Sequence, residues 1–339
     1  MARPYPGAGP ATTSLAGVQQ VAVISGGLSH ERDVSVRSGR RLADQLVKAG
    51  LSVDHWDVDE RFVALLSAST TERGGADVAF VALHGGSGEN GTVQSLLELA
   101  GVPYVGSTAG ACRGAYDKAI AKTRMVEAGV ATPAWVTLPS TIFREVGPEN
   151  LYHLVDSVIG LPLVVKPVAG GSALGVTVVR DEKDLPGALV QAYAYSSDVL
   201  LEAFVDGPEV TVPVLDLGDG PRALAPMLIE TADGSAYDYQ ARYDASSLVR
   251  YTSLADDDAR VDVPAVRALA EQVHALLGLR DLSRVDVMVG RDGVPRVLEA
   301  AVTPGLTETS TFPLAVTSAG LDLAEVYATL VRNAHQRGG

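Results

Sequence analysis

Residues 163–177 of the chain read LVVKPVAGGSALGVT, which predicts a strand, a glycine-rich turn and the start of a second strand. The apolar run at residues 163–165 is typical of a buried strand, and GVTVVR at residues 175–180 begins another. The glycines between them let backbone N–H groups approach an anion, and Lys166 adds a positive charge for a phosphate oxygen. An ordinary surface hairpin would have the same pattern, although no GxxxxGK[ST] phosphate loop is present. Other motifs in the chain are needed to distinguish a phosphate-binding turn from a surface hairpin.

The composition excludes several classes of protein. With 339 residues, 47% of them hydrophobic, the chain can form two or three packed units. Its formal charge of -14 argues against nucleic acid as the main partner, because a phosphate backbone binds clustered Lys and Arg. No apolar stretch approaches the ~20 residues that span a bilayer, and the single cysteine, Cys112, excludes an intramolecular disulfide. We therefore expect a cytoplasmic protein with no membrane partner, preceded by a disordered leader at residues 1–19.

The first part of the chain alternates strands with helices. The strand candidates are residues 21–25, 51–58, 76–83 and 102–105. This alternation predicts a parallel α/β sheet, whose ligands bind beyond the carboxyl ends of its strands. Two loops at such ends, residues 26–35 and 84–91, carry Glu31 and Glu89. A glutamate on a loop is usually only solvated, but this position makes both residues candidates for ligand binding.

The remaining sequence predicts two further α/β units. The second unit is built on the glycine-rich hairpin and closes with a strand at residues 199–204. Glu202 lies among apolar neighbours in that strand, where a carboxylate needs a partner or serves as a ligand group. The third unit begins with a strand at residues 209–215 and contains a tyrosine-rich loop at residues 231–247 and a helix over about residues 264–277.

A pair of strands in the third unit carries the strongest chemical signal. Residues 284–289 and 295–300 are separated by an Asp-Gly dipeptide, which is a strong hairpin signal. Asp286 and Glu299 interrupt the two apolar runs, and neighbouring carboxylates repel each other unless a cation lies between them. Two acids with phosphate completing the coordination sphere usually hold Mg²⁺. Arg284 lies two residues before Asp286 and therefore points to the same face of the strand. Two roles are open for it: to stabilise negative charge that develops during a reaction, or to neutralise both acids in a buried ion network.

Together these motifs resemble those of the D-alanine–D-alanine ligases, members of the ATP-grasp family. The resemblance runs in the family's order over about residues 21–333. Its motifs are GGLSHERDVS, HGGSGENGT, Asp117–Lys118, VVKPVAGGSALG, LLEAFVDGPEVTV, YDYQARY, RVDVM, LEAAVTPG and TETSTFP. The resemblance implies an α/β, three-domain ATP-grasp architecture and a homodimer. The implied domains are an N-terminal Rossmann-like parallel-sheet domain at residues 20–117, a central domain at 118–205 and a C-terminal domain at 206–339.

The resemblance also implies how the amino acids are bound. Glu31 would bind the ammonium of the first amino acid and connect through Ser172 to Tyr243, a link that ties the three domains together. Arg284 and the backbone N–H of Gly305 would form an oxyanion hole. The further substrate-binding residues it implies are His84, Ser310, which would engage the carboxylate of the second amino acid, and Thr311.

ATP and Mg²⁺ are the implied cofactors. The implied ATP-binding residues are Lys118, Lys166, Gly171, Ser172, Glu202, Ala203, Val205, Glu209, Arg242 and Met288. Among these, Glu202 with the backbone of Ala203 and Val205 would read the adenine edge, and Glu209 would hold the ribose. Asp286 and Glu299 would ligate Mg²⁺.

The expected reaction joins two amino acids through an acyl phosphate, as in the D-alanine–D-alanine ligases of peptidoglycan biosynthesis. Two departures from the family pattern bear on this expectation. Ala301 stands where an Asn normally ligates a second Mg²⁺, and Thr311 stands where a Leu lines the second amino-acid pocket. The Thr311 hydroxyl would either turn to the backbone or favour a polar acceptor. Two alternatives therefore stay open: a ligase of specialised metabolism that uses an acceptor such as serine, and a non-catalytic ATP-binding paralogue.

Overall fold

The computed structural model of the chain describes residues 17–69, 75–231 and 249–338. Three β-sheets follow one another along these residues, one parallel and two antiparallel. Tyr243 and Arg242, most of the predicted tyrosine-rich loop and residues 1–16 of the predicted leader lie outside the described residues. The predicted mixed α/β class is confirmed, while the domain boundaries stay a prediction.

The first sheet has the strand order β2-β1-β3-β4, and all its neighbouring strands are parallel, as predicted. Its elements are β1 (Gln20–Ile24), α1 (Arg32–Lys48), β2 (Ser52–Trp56), α2 (Phe62–Ser69), β3 (Val78–Val81), α3 (Thr92–Ala100), β4 (Tyr104–Val105) and α4 (Ala109–Tyr116). Alternate residues of β1 enter two different cores. Val21 and Val23 pack on one side of the sheet, and Ala22 and Ile24 on the other.

The second sheet contains the predicted glycine-rich hairpin and has the order β5-β8-β6-β7. Its elements are α5 (Lys118–Glu127), β5 (Trp135–Pro139), α6 (Ser140–Val146), α7 (Pro148–Val158), β6 (Leu163–Pro167), β7 (Thr177–Val179), α8 (Leu185–Tyr193) and β8 (Asp198–Ala203). Strands β6 and β7 pair antiparallel on either side of the glycine-rich turn, so the hairpin prediction is confirmed. Lys166 and Pro167 belong to β6, which is therefore longer than the apolar run alone indicates.

The third sheet has the order β12-β11-β9-β13-β14, with β10 paired to β9. Its elements are β9 (Glu209–Leu215), β10 (Arg222–Ala223), β11 (Met227–Thr231), β12 (Val249–Ser253), α9 (Val263–Leu276), β13 (Leu282–Val289) and β14 (Pro295–Ala301), followed by α10 (Thr311–Ser318) and α11 (Leu323–Gly338). Val210, Val212 and Val285 pack into the core that contains α9. Because side chains alternate between the faces of a sheet, Thr211 and Asp286 point to the opposite face.

The C-terminal helices bring the first and third sheets together. One core contains residues of the first sheet and of α10 and α11, including Phe80 and Tyr327, whose rings meet edge to face at 5.8 Å. Arg337 of α11 donates two hydrogen bonds to the buried Asp281, at 2.8 and 2.7 Å, and Gly106 N–H donates a third at 2.7 Å. These contacts place the loop that follows β4 against the start of β13 in the third sheet.

A helix that crosses a bilayer has to be both long and apolar. No single helix among the described residues meets both requirements. The segments Thr311–Ser318 and Leu323–Gly338 meet them only when combined, and they are bent by 107° relative to each other.

Candidate active site

The centre of the site is a pair of carboxylates on neighbouring strands. Asp286 of β13 lies directly opposite Glu299 of β14, as the sequence pattern predicts, and the register shifts by a β-bulge immediately after Asp286. On the other side of β13, Thr211 of β9 lies opposite Asp286 and donates a hydrogen bond of 2.7 Å to Oδ1. Asp286 is 3% exposed. Two carboxylates so placed need cationic partners to remain ionised.

Two basic side chains supply these partners. Arg284 donates through Nε to Asp286 Oδ1 at 2.8 Å and through Nη2 to Oδ2 at 2.7 Å, and Nη2 lies 3.9 Å from Glu299 Oε1. Lys118 Nζ lies 3.2 Å from Glu299 Oε2 and donates a 2.6 Å hydrogen bond to Gly170 O. The ion network weighed from the sequence is therefore present, and it extends to the glycine-rich turn through Lys118.

The glycine-rich turn reaches the loop that follows β1. Ser172 and Ala173 both have left-handed backbones, with φ of 54° and 56°, which is uncommon for residues other than glycine. This turn directs the Ser172 hydroxyl to Glu31 Oε1, to which it donates a hydrogen bond. Glu31 is 5% exposed, and a Cβ on Gly85 would collide with its Oε2. Glycine at position 85 therefore makes the space in which this carboxylate is buried.

His84 lies in the loop just after β3, in a buried hydrogen-bond chain. Its Nδ1 is 3.2 Å from the carbonyl oxygen of Thr303, which can only accept, so Nδ1 carries the proton. Its Nε2 then accepts from Ser38 Oγ at 2.8 Å. Burial lowers the pKa of His84 to about 4, against the raising effect of the hydrogen bond to Thr303. The ring is therefore neutral at neutral pH.

Glu89 lies beside this chain and is also buried. Its Oε1 accepts hydrogen bonds from Gly85 N–H and from the Thr303 hydroxyl, both at 3.1 Å. Burial, with a smaller contribution from the charge of Glu31, raises the pKa of Glu89 to about 7. The sequence indicated Glu89 by its position after a strand. It did not single out Thr303, which lies 214 residues further along the chain.

Two cavities meet at the carboxylate pair. A polar cavity is lined by Glu31, His84, Glu89, Arg284, Ser310 and Thr311, among others. A larger cavity of about 600 Å³ lies between the second and third sheets. The residues lining both are Lys118, Gly170, Gly171, Ile229, Asp286 and Glu299. The carboxylates and Lys118 therefore form the boundary across which a group could pass from one cavity to the other.

The far end of the larger cavity contains a second ion network. Glu202 of β8 is 2% exposed, and its Oε1 accepts a 2.7 Å hydrogen bond from Lys166 Nζ. Lys122 Nζ lies 2.5 Å from Glu202 Oε2. Burial lowers the pKa of Lys122 to about 8, although the charge of Glu202 opposes this shift. Lys122 was not indicated by the sequence, where it is one polar residue among several on an amphipathic helix.

The structure brings the predicted residues together around the two cavities. Those at the polar cavity are Glu31, His84, Ser172, Arg284, Gly305, Ser310 and Thr311. Those at the larger cavity are Lys118, Lys166, Gly171, Glu202, Ala203, Val205, Glu209 and Met288, with Asp286 and Glu299 at the boundary. Among the described residues, no three His, Cys, Asp or Glu side chains form a metal-binding group. Any cation at the boundary would therefore depend on the two carboxylates and on oxygens supplied by ligands.

Known families and proteins match this chain along most of its length. The model described as "D-ala D-ala ligase C-terminus" matches residues 125–332, and "D-ala D-ala ligase N-terminus" matches residues 56–107. A D-alanine–D-alanine ligase of Marinomonas sp. (strain MWYL1) is 36% identical over 322 residues, which cover 94% of this chain and 96% of the relative.

Solved structures with this fold include two ligases. The VanG D-Ala:D-Ser ligase of Enterococcus faecalis superposes with a TM-score of 0.78 at 25% identity, covering 93% of this chain and 98% of that chain. The D-alanine–D-alanine ligase of Bacillus anthracis complexed with ATP superposes with a TM-score of 0.74 at 27% identity, covering 94% of this chain and 98% of that chain.

The neutral His84 predicts a specific dependence of stability on pH. Its folded pKa of about 4 lies below the ordinary value of 6.5, so the unfolded state binds the proton first as the pH falls. Stability is then lost between about pH 6.5 and pH 4. We expect the free energy of unfolding, measured in urea, to fall by about 2 kcal/mol more between pH 7 and pH 4.5 in the parent than in His84→Gln.

The matched control for this measurement is His55→Gln, at an exposed position of β2. Equal losses in the parent and in His84→Gln would contradict the assignment of His84 as a buried neutral ring.

Proposed function

Because the chain belongs to the D-alanine–D-alanine ligase family of ATP-dependent carboxylate–amine ligases, we propose that it joins two molecules of D-alanine. The products are D-alanyl-D-alanine, ADP and phosphate, and the dipeptide would serve peptidoglycan synthesis. The observation that carries the proposal is the boundary between the two cavities. Lys118, Asp286 and Glu299 line both of them, so a phosphate at the end of the nucleotide cavity would face a carboxylate in the polar cavity.

The first amino acid binds in the polar cavity through its two charged groups. Its ammonium pairs with Glu31, which is buried and held by Ser172. Its carboxylate then points to the boundary, where one oxygen attacks the γ-phosphorus of ATP and ADP leaves. Lys118 and Arg284 neutralise the negative charges that meet there. This step needs positioning and charge neutralisation more than covalent help from the protein.

The second half of the reaction forms the amide bond. The amine of the second amino acid, having lost its proton, adds to the carbonyl carbon of the acyl phosphate, and phosphate leaves as the tetrahedral intermediate collapses. Arg284 and the N–H of Gly305, which both line the polar cavity, would stabilise the oxyanion. A Cβ on Gly305 would lie 2.6 Å from Ser310 Oγ, so only glycine leaves both groups in place. Ser310 precedes α10, where the helix N-terminus favours the acceptor's carboxylate.

Water has to be kept away from an acyl phosphate. The hydrogen bond between Ser172 and Glu31 joins the glycine-rich turn to the loop after β1 and covers the cavity between them. We expect this turn to open for ATP and to close once the amino acid is bound. Tyr243, the third member of the predicted link, lies outside the described residues.

The boundary carboxylates fit a magnesium ion. Asp286 and Glu299 present hard oxygen donors from neighbouring strands, and their partners in the structure, Arg284 and Lys118, are themselves cations. Mg²⁺ would supply charge neutralisation for the phosphates of ATP. Ala301, opposite Arg284 on the paired strand, cannot ligate a metal. We therefore propose that one ion is held firmly and that a second depends on Glu299, phosphates and water.

Restoring the missing ligand tests this metal assignment. Ala301→Asn should lower the concentration of free Mg²⁺ needed for half-maximal activity, because an amide oxygen replaces a water ligand. Binding of Mn²⁺ in the presence of ADP, followed by electron paramagnetic resonance, should tighten in parallel. Ala300→Gly, the neighbouring change in β14, is the control. A Mg²⁺ titration that saturates at equivalence with ATP and is unchanged in Ala301→Asn would contradict the proposal.

Phosphate release tests the proposed reaction directly. The parent should release phosphate only when ATP, Mg²⁺ and D-alanine are all present. Glu31→Gln removes the charge that faces the substrate ammonium, so the KM for the first D-alanine should rise by about tenfold to a hundredfold. Glu325→Gln, at an exposed position of α11, is the control. An unchanged KM in Glu31→Gln would contradict the role of Glu31 in binding the substrate ammonium. If the parent releases no phosphate, the non-catalytic alternative is favoured.

A second candidate function differs only in the acceptor. Thr311 is 8% exposed and lines the polar cavity, and its hydroxyl makes no hydrogen bond to any described residue. It therefore does not turn to the described backbone, which was one of its two expected states. A hydroxyl on a residue that lines this cavity supports an acceptor with a polar side chain, such as serine. The similar VanG enzyme is a D-Ala:D-Ser ligase.

Competition between acceptors distinguishes the two candidates. If the Thr311 hydroxyl binds the acceptor, Thr311→Leu should shift kcat/KM from serine towards alanine by about tenfold, the scale of one lost contact. Thr309→Leu, on the same loop, is the control. If the parent never accepts D-serine, and Thr311→Leu leaves the ratio of alanine to serine unchanged, the polar-acceptor candidate is wrong.

The setting of the reaction follows from the family assignment. We expect the protein to act in the cytoplasm, where ATP is available, and to assemble as a homodimer. Sedimentation equilibrium of the full chain would establish the assembly.

A further inference from the structure

Lys122 is a buried cation next to the larger cavity. Its side chain is 1% exposed and its ammonium lies 2.5 Å from Glu202 Oε2 and 5.4 Å from the centre of the Trp135 ring. The ammonium also donates a hydrogen bond to Thr132 Oγ1. Lys122 lies behind Glu202, which lines the cavity. Burying an ammonium is costly, so a lysine in this place needs a reason beyond solubility.

Glu202 has one lysine on each carboxylate oxygen. Lys166 Nζ donates to Oε1 at 2.7 Å, and Lys122 holds Oε2. A carboxylate offers about four acceptor positions, so two lysines leave acceptor capacity towards the cavity. The two lysines differ in their surroundings, because Lys166 itself lines the cavity whereas Lys122 does not.

We propose that Lys122 is a positioning residue for recognition of the nucleotide base, fixing the Glu202 carboxylate in the orientation in which it accepts from a 6-amino purine. The proposal rests on the proposed function, in which Glu202 faces adenine. An ionised carboxylate cannot donate, so it repels the 6-oxo group of hypoxanthine or guanine. A Glu202 side chain released from Lys122 could turn away from the base and would lose this discrimination.

Glu202 needs Lys122 as well as Lys166, because Lys166 also binds a phosphate in the proposed function. A phosphate entering the cavity attracts Lys166 away from Glu202, and without a second cation the carboxylate would no longer be held against the base. Lys122 cannot follow, because it is buried and bound to Thr132. Thr132 in turn donates a 2.7 Å hydrogen bond to Val297 O of β14, the strand that carries Glu299. The counter-ion of Glu202 is thereby fixed to the scaffold and independent of the phosphates.

The test compares ATP with inosine triphosphate, which carries oxygen in place of the 6-amino group. In Lys122→Met, which keeps the length of the side chain and removes its charge, kcat/KM for ATP relative to inosine triphosphate should fall by about tenfold. The KM for D-alanine should not change. Lys183→Met, at an exposed ion pair with Asp181, is the control and should leave the ratio as it is. A merely structural lysine would lower the melting temperature and affect both nucleotides equally, which would overturn the proposal.

Two further variants separate the possible failures. Glu202→Gln should lower the same ratio, and Lys122→Met should then add nothing in the Glu202→Gln background. If Glu202→Gln leaves the ratio unchanged, the assigned adenine contact is wrong and the proposal for Lys122 fails with it. If Glu202→Gln lowers the ratio but Lys122→Met does not, only the proposal for Lys122 fails. Should Lys122→Met give no folded protein, Thr132→Val, which removes a hydrogen-bond partner of Lys122, should lower the ratio in the same direction.

Discussion

Two carboxylates lie face to face on adjacent strands, and their mutual repulsion is the constraint around which the site is arranged. Asp286 and Glu299 occupy opposite positions in the β13–β14 ladder, and a low-dielectric setting makes their like charges costly. Arg284 from the same strand and Lys118 from α5 offset this repulsion by forming ion pairs with the two acids. Lys118 also holds Gly170, so the neutralisation of the acids positions the glycine-rich turn. The turn then reaches Glu31 through Ser172.

Helix α5 serves both ends of the larger cavity. Lys118 and Lys122 are four residues apart and therefore lie on one face of the helix, one turn apart. Lys118 pairs with Glu299 at the boundary of the cavities, and Lys122 pairs with Glu202 at the far end. A single rigid helix thus fixes the charges at both places. This arrangement explains how two sheets that are separate in the hydrogen-bond topology can present one continuous binding surface.

The sequence predicted those features of the site that depend on residues close together in the chain. Alternation along β13 and β14 predicted that Asp286 and Glu299 share a face, and the Asp-Gly turn predicted that their strands pair. The glycine-rich hairpin was readable for the same reason. The β-bulge after Asp286 was not predicted, because a bulge adds a residue to one strand without any change in the hydrophobic pattern.

The contacts that the sequence did not reveal join distant residues. The hydrogen bond of His84 to Thr303 and the clamp of Arg337 on Asp281 form only once the C-terminal helices pack on the first sheet. Lys122 was missed for a related reason. A lysine on an amphipathic helix usually faces water, and only the strand carrying Glu202 makes this position a buried ion pair.

The proposed function depends on one step, in which a phosphoryl group moves from the nucleotide cavity to an amino-acid carboxylate across the boundary formed by Lys118, Asp286 and Glu299. The most direct measurement uses D-alanine labelled with ¹⁸O in both carboxylate oxygens and follows the label by mass spectrometry. We expect each phosphate released to carry one ¹⁸O atom and the new peptide carbonyl to keep the other. Unlabelled phosphate, or ¹⁸O in AMP, would contradict it.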